Sequence, residues 1–340
     1  MILVTGGTGL VGRHLLQALV QQQKPIRAII RPNAKVPNAL IPYAHQIEWF
    51  EADLQDYDAI EQAMNGCTHV YHCAAKVSFD PKDKKEIWQT NVQGTAHIVN
   101  AALFLGIQKL LYVSSIAAIG EAKPGMLIDE TCQWIYDATI SDYSISKFEA
   151  EREVWRGITE GLNAVIVNPS VILGYDEKQG GGMSLLKLVN AKAYFYPEGS
   201  IALVYVVDLC RAMIQLMDST IVAERFIISA TNKSYQEFFA QIAQIKNIKP
   251  MAIRLGNTWS NTIISVLQLY TFLFNKSTLL SKFTLRASQK NHIFNNQKLI
   301  QALSFNYTPI EEVLEIMIKS KNQNEKCIVC FYGWWSWKHC

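Results

Sequence analysis

Along the first half of the chain, short apolar runs alternate with stretches whose apolar residues recur every three or four positions. Ile2 to Thr5, Arg27 to Arg31, Ile47 to Glu51, His69 to Cys73, Lys109 to Ser114 and Ala164 to Asn168 read as strands. Between them, Leu10 to Gln22, Asp56 to Met64, Lys84 to Leu105 and Asp142 to Thr159 read as helices. Most of the strands are unbroken apolar runs, the pattern expected where helices cover both faces of a parallel sheet. The alternation predicts a doubly wound α/β fold.

After Asn168 the rhythm changes. Gly180, Gly181 and Gly182 predict a loop. Short strands and helices then mix at Leu203 to Val206, Leu209 to Met217, Arg225 to Ile228 and Tyr235 to Gln244, with further helices expected at Asn261 to Phe274 and Ile310 to Ile318. The expected organisation is an α/β domain over residues 1–175, a smaller mixed lobe over 176–320 and an irregular tail over 321–340. That tail holds Cys327, Cys330, His339 and Cys340, but their spacing matches no common zinc finger, so no metal is expected.

Composition narrows the function classes. Of 340 residues, 49% are hydrophobic and 18% charged, which excludes a disordered or fibrous chain. The net charge of +3 leaves no electrostatic footprint for nucleic acid or an anionic membrane. The most lipid-like stretch, Thr262 to Phe274, is too short to span a bilayer. With no basic leader after Met1 and an odd seven cysteines, mostly within apolar runs, a reduced cytoplasmic protein is expected.

Three groups of residues carry candidate chemistry. The turn after the first strand reads Gly6-Gly-Thr8-Gly9-Leu10-Val11-Gly12. Gly6 permits the tight turn, Gly9 lets the backbone approach a pyrophosphate, and Gly12 lets strand and helix pack closely. The phosphates would lie on the helix N-terminus, where unpaired N–H groups and the helix dipole favour negative charge. The second strand ends at Arg31, where an acidic residue would accept from a ribose hydroxyl and a basic one would pair with a 2′-phosphate. Arg31 therefore points to NADP, with NAD as the alternative. Asp53 and Leu54 close the third strand near the expected adenine, and the small Cys73, Ala74 and Ala75 close the fourth, where ligands reach the strand ends of such sheets. Tyr143 and Lys147 share a helix face, so the ammonium is expected to lower the phenol pKa. Ser114 and Ser115, at the end of the fifth strand, face the same crevice.

In these motifs, together with Asn91-Val-Gln-Gly94-Thr95 and Asn168-Pro169, the chain resembles an extended short-chain dehydrogenase/reductase of the NAD(P)-dependent epimerase/dehydratase type. The resemblance implies that Tyr143 is the acid/base, that Lys147 holds the nicotinamide ribose, and that Ser115 bonds the substrate oxygen. It implies a supporting role for Asn91, a structural one for Ser114, and nicotinamide contacts at Pro169 and Val171. By the same analogy Lys76, Ile116, Asn168 and Met183 would border a mostly apolar, small-molecule substrate. A homodimer seam through Glu86 to Leu105 and Asp142 to Thr159 is compatible with the fold. The pattern is similar to dihydroflavonol and cinnamoyl-CoA reductases and to 3β-hydroxysteroid dehydrogenases. Ser115 is followed by Ile116-Ala117, not by the acidic pair of sugar dehydratases, and Glu198 to Tyr205 lacks the arginine of nucleotide-sugar epimerases. The expected function is NADPH-dependent carbonyl reduction. A nucleotide-sugar epimerase with retained NAD and a non-catalytic dinucleotide-binding protein are the alternatives.

Overall fold

The computed structural model describes residues 1–123, 125–137, 140–175, 195–251, 253–255 and 282–322. Met183, the glycines at 180–182, the stretch Asn261 to Phe274 and the Cys/Trp-rich tail from 323 onward lie outside the described residues.

The chain runs β1 (Ile2–Thr5), α1 (Leu10–Gln21), β2 (Ile26–Ile30), β3 (Ile47–Glu51), α2 (Tyr57–Met64), β4 (His69–His72), α3 (Lys84–Trp88), α4 (Gly94–Phe104), β5 (Lys109–Val113), α5 (Asp142–Thr159) and β6 (Ala164–Pro169). It continues through β7 (Val171–Leu173), β8 (Phe195–Pro197), β9 (Ser200–Tyr205), α6 (Val206–Asp218), β10 (Glu224–Ile228), β11 (Thr231–Ser234), α7 (Tyr235–Ile245), β12 (Ile253–Leu255), α8 (Lys282–Ala287), α9 (Gln297–Leu303) and α10 (Ile310–Asn322). The helix expected from Lys84 to Leu105 is broken into α3 and α4 by a π-helical stretch at Gln89–Gln93. Helix α10 runs to Asn322, past the expected start of the tail.

Seven strands form one sheet in the order β10-β6-β5-β4-β1-β2-β3, every neighbour parallel. The strand order reverses between β1 and β4, the switch point at which such sheets leave a crevice outside the carboxyl ends of their strands. Helices cover both faces, as the unbroken apolar strands require. On one side Leu15, Leu16 and Leu19 of α1 pack with Leu209, Met213 and Leu216 of α6. On the other, Ile60 of α2, Ile98 and Ala102 of α4, and Ala150 and Val154 of α5 pack together. Gly94 permits the close approach of α4, because a Cβ there would lie 2.9 Å from the Leu54 Cβ.

A three-stranded sheet, β11-β9-β7, sits beyond the crevice, with β9 and β11 antiparallel. Its core is closed by Phe238 and Ile242 of α7 and by Val313, Leu314 and Met317 of α10. Helix α7 opens on a capping box in which Ser234 and Glu237 exchange side-chain and backbone hydrogen bonds.

Candidate active site

One cavity of about 2170 Å³ runs along the carboxyl ends of the parallel strands, from the glycine turn to the small sheet. Single-ligand pockets occupy about 300–1,000 Å³, so this one has room for a dinucleotide and a second molecule.

Its first section is the glycine turn. Gly6 has φ +69°, and a Cβ there would lie 2.6 Å from the Ala74 nitrogen. A Cβ on Gly12 would meet the Gly6 carbonyl oxygen at 2.2 Å. The Gly9 N–H closes the turn on that same oxygen at 2.9 Å. Gly9 is the N-cap of α1 and supplies no side chain to its first turn, and no acidic residue stands there. The exposed N–H groups of that turn are thus left for an anion. Thr8, Leu10, Val11, Arg31, Asp53, Leu54, Cys73, Ala74 and Ala75 line the cavity with these glycines. The residues present fit a dinucleotide: a bare helix terminus for the diphosphate, and an exposed guanidinium at the end of β2.

The second section holds the candidate chemistry. Ser114, Ser115, Ile116, Tyr143, Lys147, Pro169 and Val171 all line the cavity. Helix α5 starts at a Ser141 cap whose hydroxyl accepts from the Ser144 N–H at 3.1 Å, and this sets Tyr143 and Lys147 in the first turns. Tyr143 packs edge-on against Phe79, ring centres 5.6 Å apart. Burial raises the Tyr143 pKa, and hydrogen bonding with Ser115 opposes the rise.

The expected pairing of Lys147 with Tyr143 takes a different form. The Lys147 ammonium donates to the Tyr112 hydroxyl at 3.0 Å and to the Val113 carbonyl at 2.7 Å. Its stem reaches toward β5, where a carbonyl and a phenol offer bonds, and the Tyr143 pKa is raised by burial where a lowered one was expected. Burial also brings Lys147 down to about 7, against the opposing pull of Glu151.

Three other expected site residues have distinct places, and of these Asn168 departs from the border position expected of it. Asn91 lies behind the cavity wall, its amide donating to the Lys76 carbonyl at 3.0 Å and to Ser146 at 2.9 Å while its oxygen accepts from the Lys76 N–H. Asn168 is fully buried and does not border the cavity; it donates to the Ser115 carbonyl at 3.0 Å. Both use their amides to fix backbone that does border it. Lys76 borders the cavity, but its ammonium is paired with Asp83 at 3.3 Å and with Glu86.

Sequence reasoning missed the scaffold beneath this site. Glu151, 3% exposed, accepts from Ser114 Oγ at 2.7 Å, Asn168 Nδ2 at 2.8 Å and Arg225 Nη1 at 2.9 Å. One carboxylate thereby ties α5 to the ends of β5, β6 and β10. His72 is buried and neutral, held near a pKa of about 3, between Thr5 at 2.7 Å and Thr95 at 3.0 Å. Most of the far wall also went unread: beside Tyr136, which the sequence did place at the pocket, Trp134, Ile135, Tyr235, Phe239 and Phe294 line it, with Arg286, Lys290 and His292. Trp134 stacks on Phe148 of α5 with ring centres 4.2 Å apart. Among the described residues, no cluster of His, Cys, Asp and Glu could hold a metal ion, and no helix is long and apolar enough to cross a membrane.

Residues 2–228 match the model of the NAD dependent epimerase/dehydratase family. The chain is 32% identical over 269 residues to a protein of Synechocystis sp. named as a dihydroflavonol 4-reductase, covering 75% of this chain and 77% of that one. It is 25% identical over 334 residues to cinnamoyl-CoA reductase 1 of Petunia hybrida, covering 94% and 91%. The crystal structure of gox2253 superposes with a TM-score of 0.82 at 27% identity, covering 96% of this chain and 98% of that one. A glycine turn shaped for a diphosphate, a serine, tyrosine and lysine in the same crevice, and these likenesses have one reading: the chain belongs to the NAD-dependent epimerase/dehydratase family and is an oxidoreductase working with a nicotinamide dinucleotide.

Proposed function

We propose that this oxidoreductase transfers hydride between NADP(H) and the carbonyl or alcohol carbon of an apolar small molecule, with Tyr143 moving the proton. The observation that carries the reading is that Ser115, Tyr143 and Lys147 line one cavity with the glycine turn, while its far wall is built largely of Trp134, Ile135, Tyr136, Phe239 and Phe294. Apolar walls with a few convergent polar groups suit an apolar carbonyl compound.

In this reading the dinucleotide supplies hydride chemistry, and the chain supplies position and proton. The α1 turn holds the diphosphate, and Arg31 meets the adenosine end. Ser115 offers its hydroxyl to the substrate oxygen. Tyr143, protonated because burial raises its pKa, donates to that oxygen in reduction and accepts in oxidation. Lys147 carries its charge into the crevice at neutral pH and below. Proximity and a positioned proton donor supply the acceleration.

The test is a panel of apolar aldehydes and ketones with NADPH, run beside Tyr143→Phe. The parent is expected to oxidise NADPH with some members. Tyr143→Phe is expected to lose turnover by about 10²–10⁴-fold while still binding the dinucleotide. Normal turnover by Tyr143→Phe would remove the tyrosine from the mechanism. Arg286 and Lys290 at the far wall favour a second reading, a nucleotide-sugar epimerase, in which they would face a diphosphate. Release of NAD and a nucleotide sugar on denaturing the purified protein would select it.

A further inference from the structure

A line of buried polar groups that the mechanism above does not use runs from the glycine turn to Lys147. Thr5, the last residue of β1, accepts from the Ala74 N–H at 3.2 Å, and its hydroxyl meets His72 Nδ1 at 2.7 Å. His72 Nε2 meets the Thr95 hydroxyl at 3.0 Å, which in turn donates to the Asn91 carbonyl. These bonds fix the tautomer: Thr5 donates to Nδ1, so the proton sits on Nε2. The Tyr112 ring stacks on His72, centres 5.4 Å apart, and its hydroxyl meets Thr95. That hydroxyl then accepts from Lys147 Nζ, which stands 4.6 Å from the centre of the Tyr112 ring. Every side chain in the line is buried: Thr5, His72, Thr95, Tyr112 and Lys147 are each at most 1% exposed.

We propose that Tyr112 is the positioning residue of Lys147, its phenol oxygen and ring face holding the ammonium in the crevice, and Thr95 and His72 holding the phenol. This rests on the oxidoreductase reading above only for the use to which the ammonium is put. The physical need is plain. A buried ammonium without acceptors gives up its proton, and among the described residues two acceptors, the Val113 carbonyl and the Tyr112 hydroxyl, reach this one. The charged or titratable groups facing Lys147 are Glu151 on its own helix, Cys73 after β4, and His72 across the Tyr112 ring. Glu151 is held by Arg225, Ser114 and Asn168, and Cys73 is a thiol raised to about 12, so neither can take the place of the phenol oxygen.

The experiment is Tyr112→Phe, which keeps the ring and the stack on His72 and removes only the oxygen. Lys147 is titrated directly in the dinucleotide-free protein, by the pH dependence of its acylation rate read by peptide mass spectrometry, because only the neutral amine reacts. The parent midpoint is expected at about 7. In Tyr112→Phe it is expected about one pH unit lower, since hydrogen bonding to the charged form is lost. Turnover then falls about tenfold at pH 8, and the deficit shrinks to about twofold at pH 6, as acid restores the ammonium. A packing defect would not recover in acid. An unchanged Lys147 midpoint overturns the proposal, as does a turnover deficit equal at both pH values. If Tyr112→Phe does not fold, Thr95→Ala, which frees the phenol, is read the same way and with the same criteria. Failure of the oxidoreductase reading would show separately, as a parent inactive with every carbonyl while the acylation midpoint still moves.

Discussion

Removing the Glu151 carboxylate tests the scaffold under the site. In Glu151→Ala, four donors lose their acceptor at once: Ser114 Oγ, Asn168 Nδ2 and Arg225 Nη1, now at 2.7, 2.8 and 2.9 Å, and Trp155 Nε1 at 3.5 Å. The pair is buried, with side-chain exposures of 3% for Glu151 and 18% for Arg225. Breaking such a pair from one side costs about 3–5 kcal/mol, because the surviving charge stays in place without its partner. Arg225 keeps the Glu130 carbonyl at 2.9 Å, which puts the expected loss near the lower half of that range, about 3–4 kcal/mol. For a chain of 340 residues that lowers Tm by about 4–6 °C. Glu151→Gln preserves volume and one acceptor and is expected to lose about 1–2 kcal/mol. Thermal melts by circular dichroism, with urea titrations for the free energies, measure both. The double variant Glu151→Leu with Arg225→Met should lose less than the sum of its parts, because no charge is stranded. A Glu151→Ala melt within about 2 °C of the parent would refute the claim that this carboxylate fastens α5 to three strands.

The other expectations concern the dinucleotide and the pH range. Arg31→Asp should shift affinity from NADP(H) toward NAD(H), read by fluorescence titration; a parent that binds both equally removes the basis for the assignment. Gly12→Val should abolish dinucleotide binding, since even a Cβ there falls 2.2 Å from the Gly6 carbonyl oxygen; retained binding would show that the turn does not carry the diphosphate. His72 is neutral in the fold, with its pKa depressed to about 3 from 6.5, so its contribution is complete above pH 6.5. Below that, the unfolded chain takes a proton that the fold refuses, and stability falls by up to about 1.4 kcal/mol per pH unit until about pH 3. His72→Gln should flatten the difference in urea stability between pH 6.5 and 4; an equal slope in both proteins would mean that His72 does not govern it.

Much of the parallel sheet was legible because its signals are local. Continuous apolar strands and periodic helices placed β1 to β6 within a residue or two, and Asp142–Thr159 as it stands. The glycine turn was legible for the same reason, since its chemistry lies in seven consecutive residues. What escaped depends on distance along the chain. Glu151 and Arg225 are 74 positions apart, and neither has a local pattern that announces the other. Spacing placed Lys147 on the face of Tyr143 but not the direction of its four-carbon stem, which the Val113 carbonyl and Tyr112 decide. The break at Gln89–Gln93 is a hydrogen-bond shift within a sequence of ordinary helical periodicity. Asn91 and Asn168 have the residue type of ligand-binding groups, yet buried backbone claimed their amides first.

The wall formed by Trp134, Ile135 and Tyr136 has a root and a tip. At the root, Gly120 lies so close to the Gln133 carbonyl that a Cβ would sit 1.8 Å from its oxygen, and Trp134 is clamped flat on the helix that carries Tyr143. At the tip, Ile135 and Tyr136 are 78% and 69% exposed. Replacing tip side chains is therefore expected to alter which molecules the cavity admits while Tyr143 stays where it is. Changes at the root reach both at once, so new substrate ranges are open to this chain through two positions and closed through their neighbours.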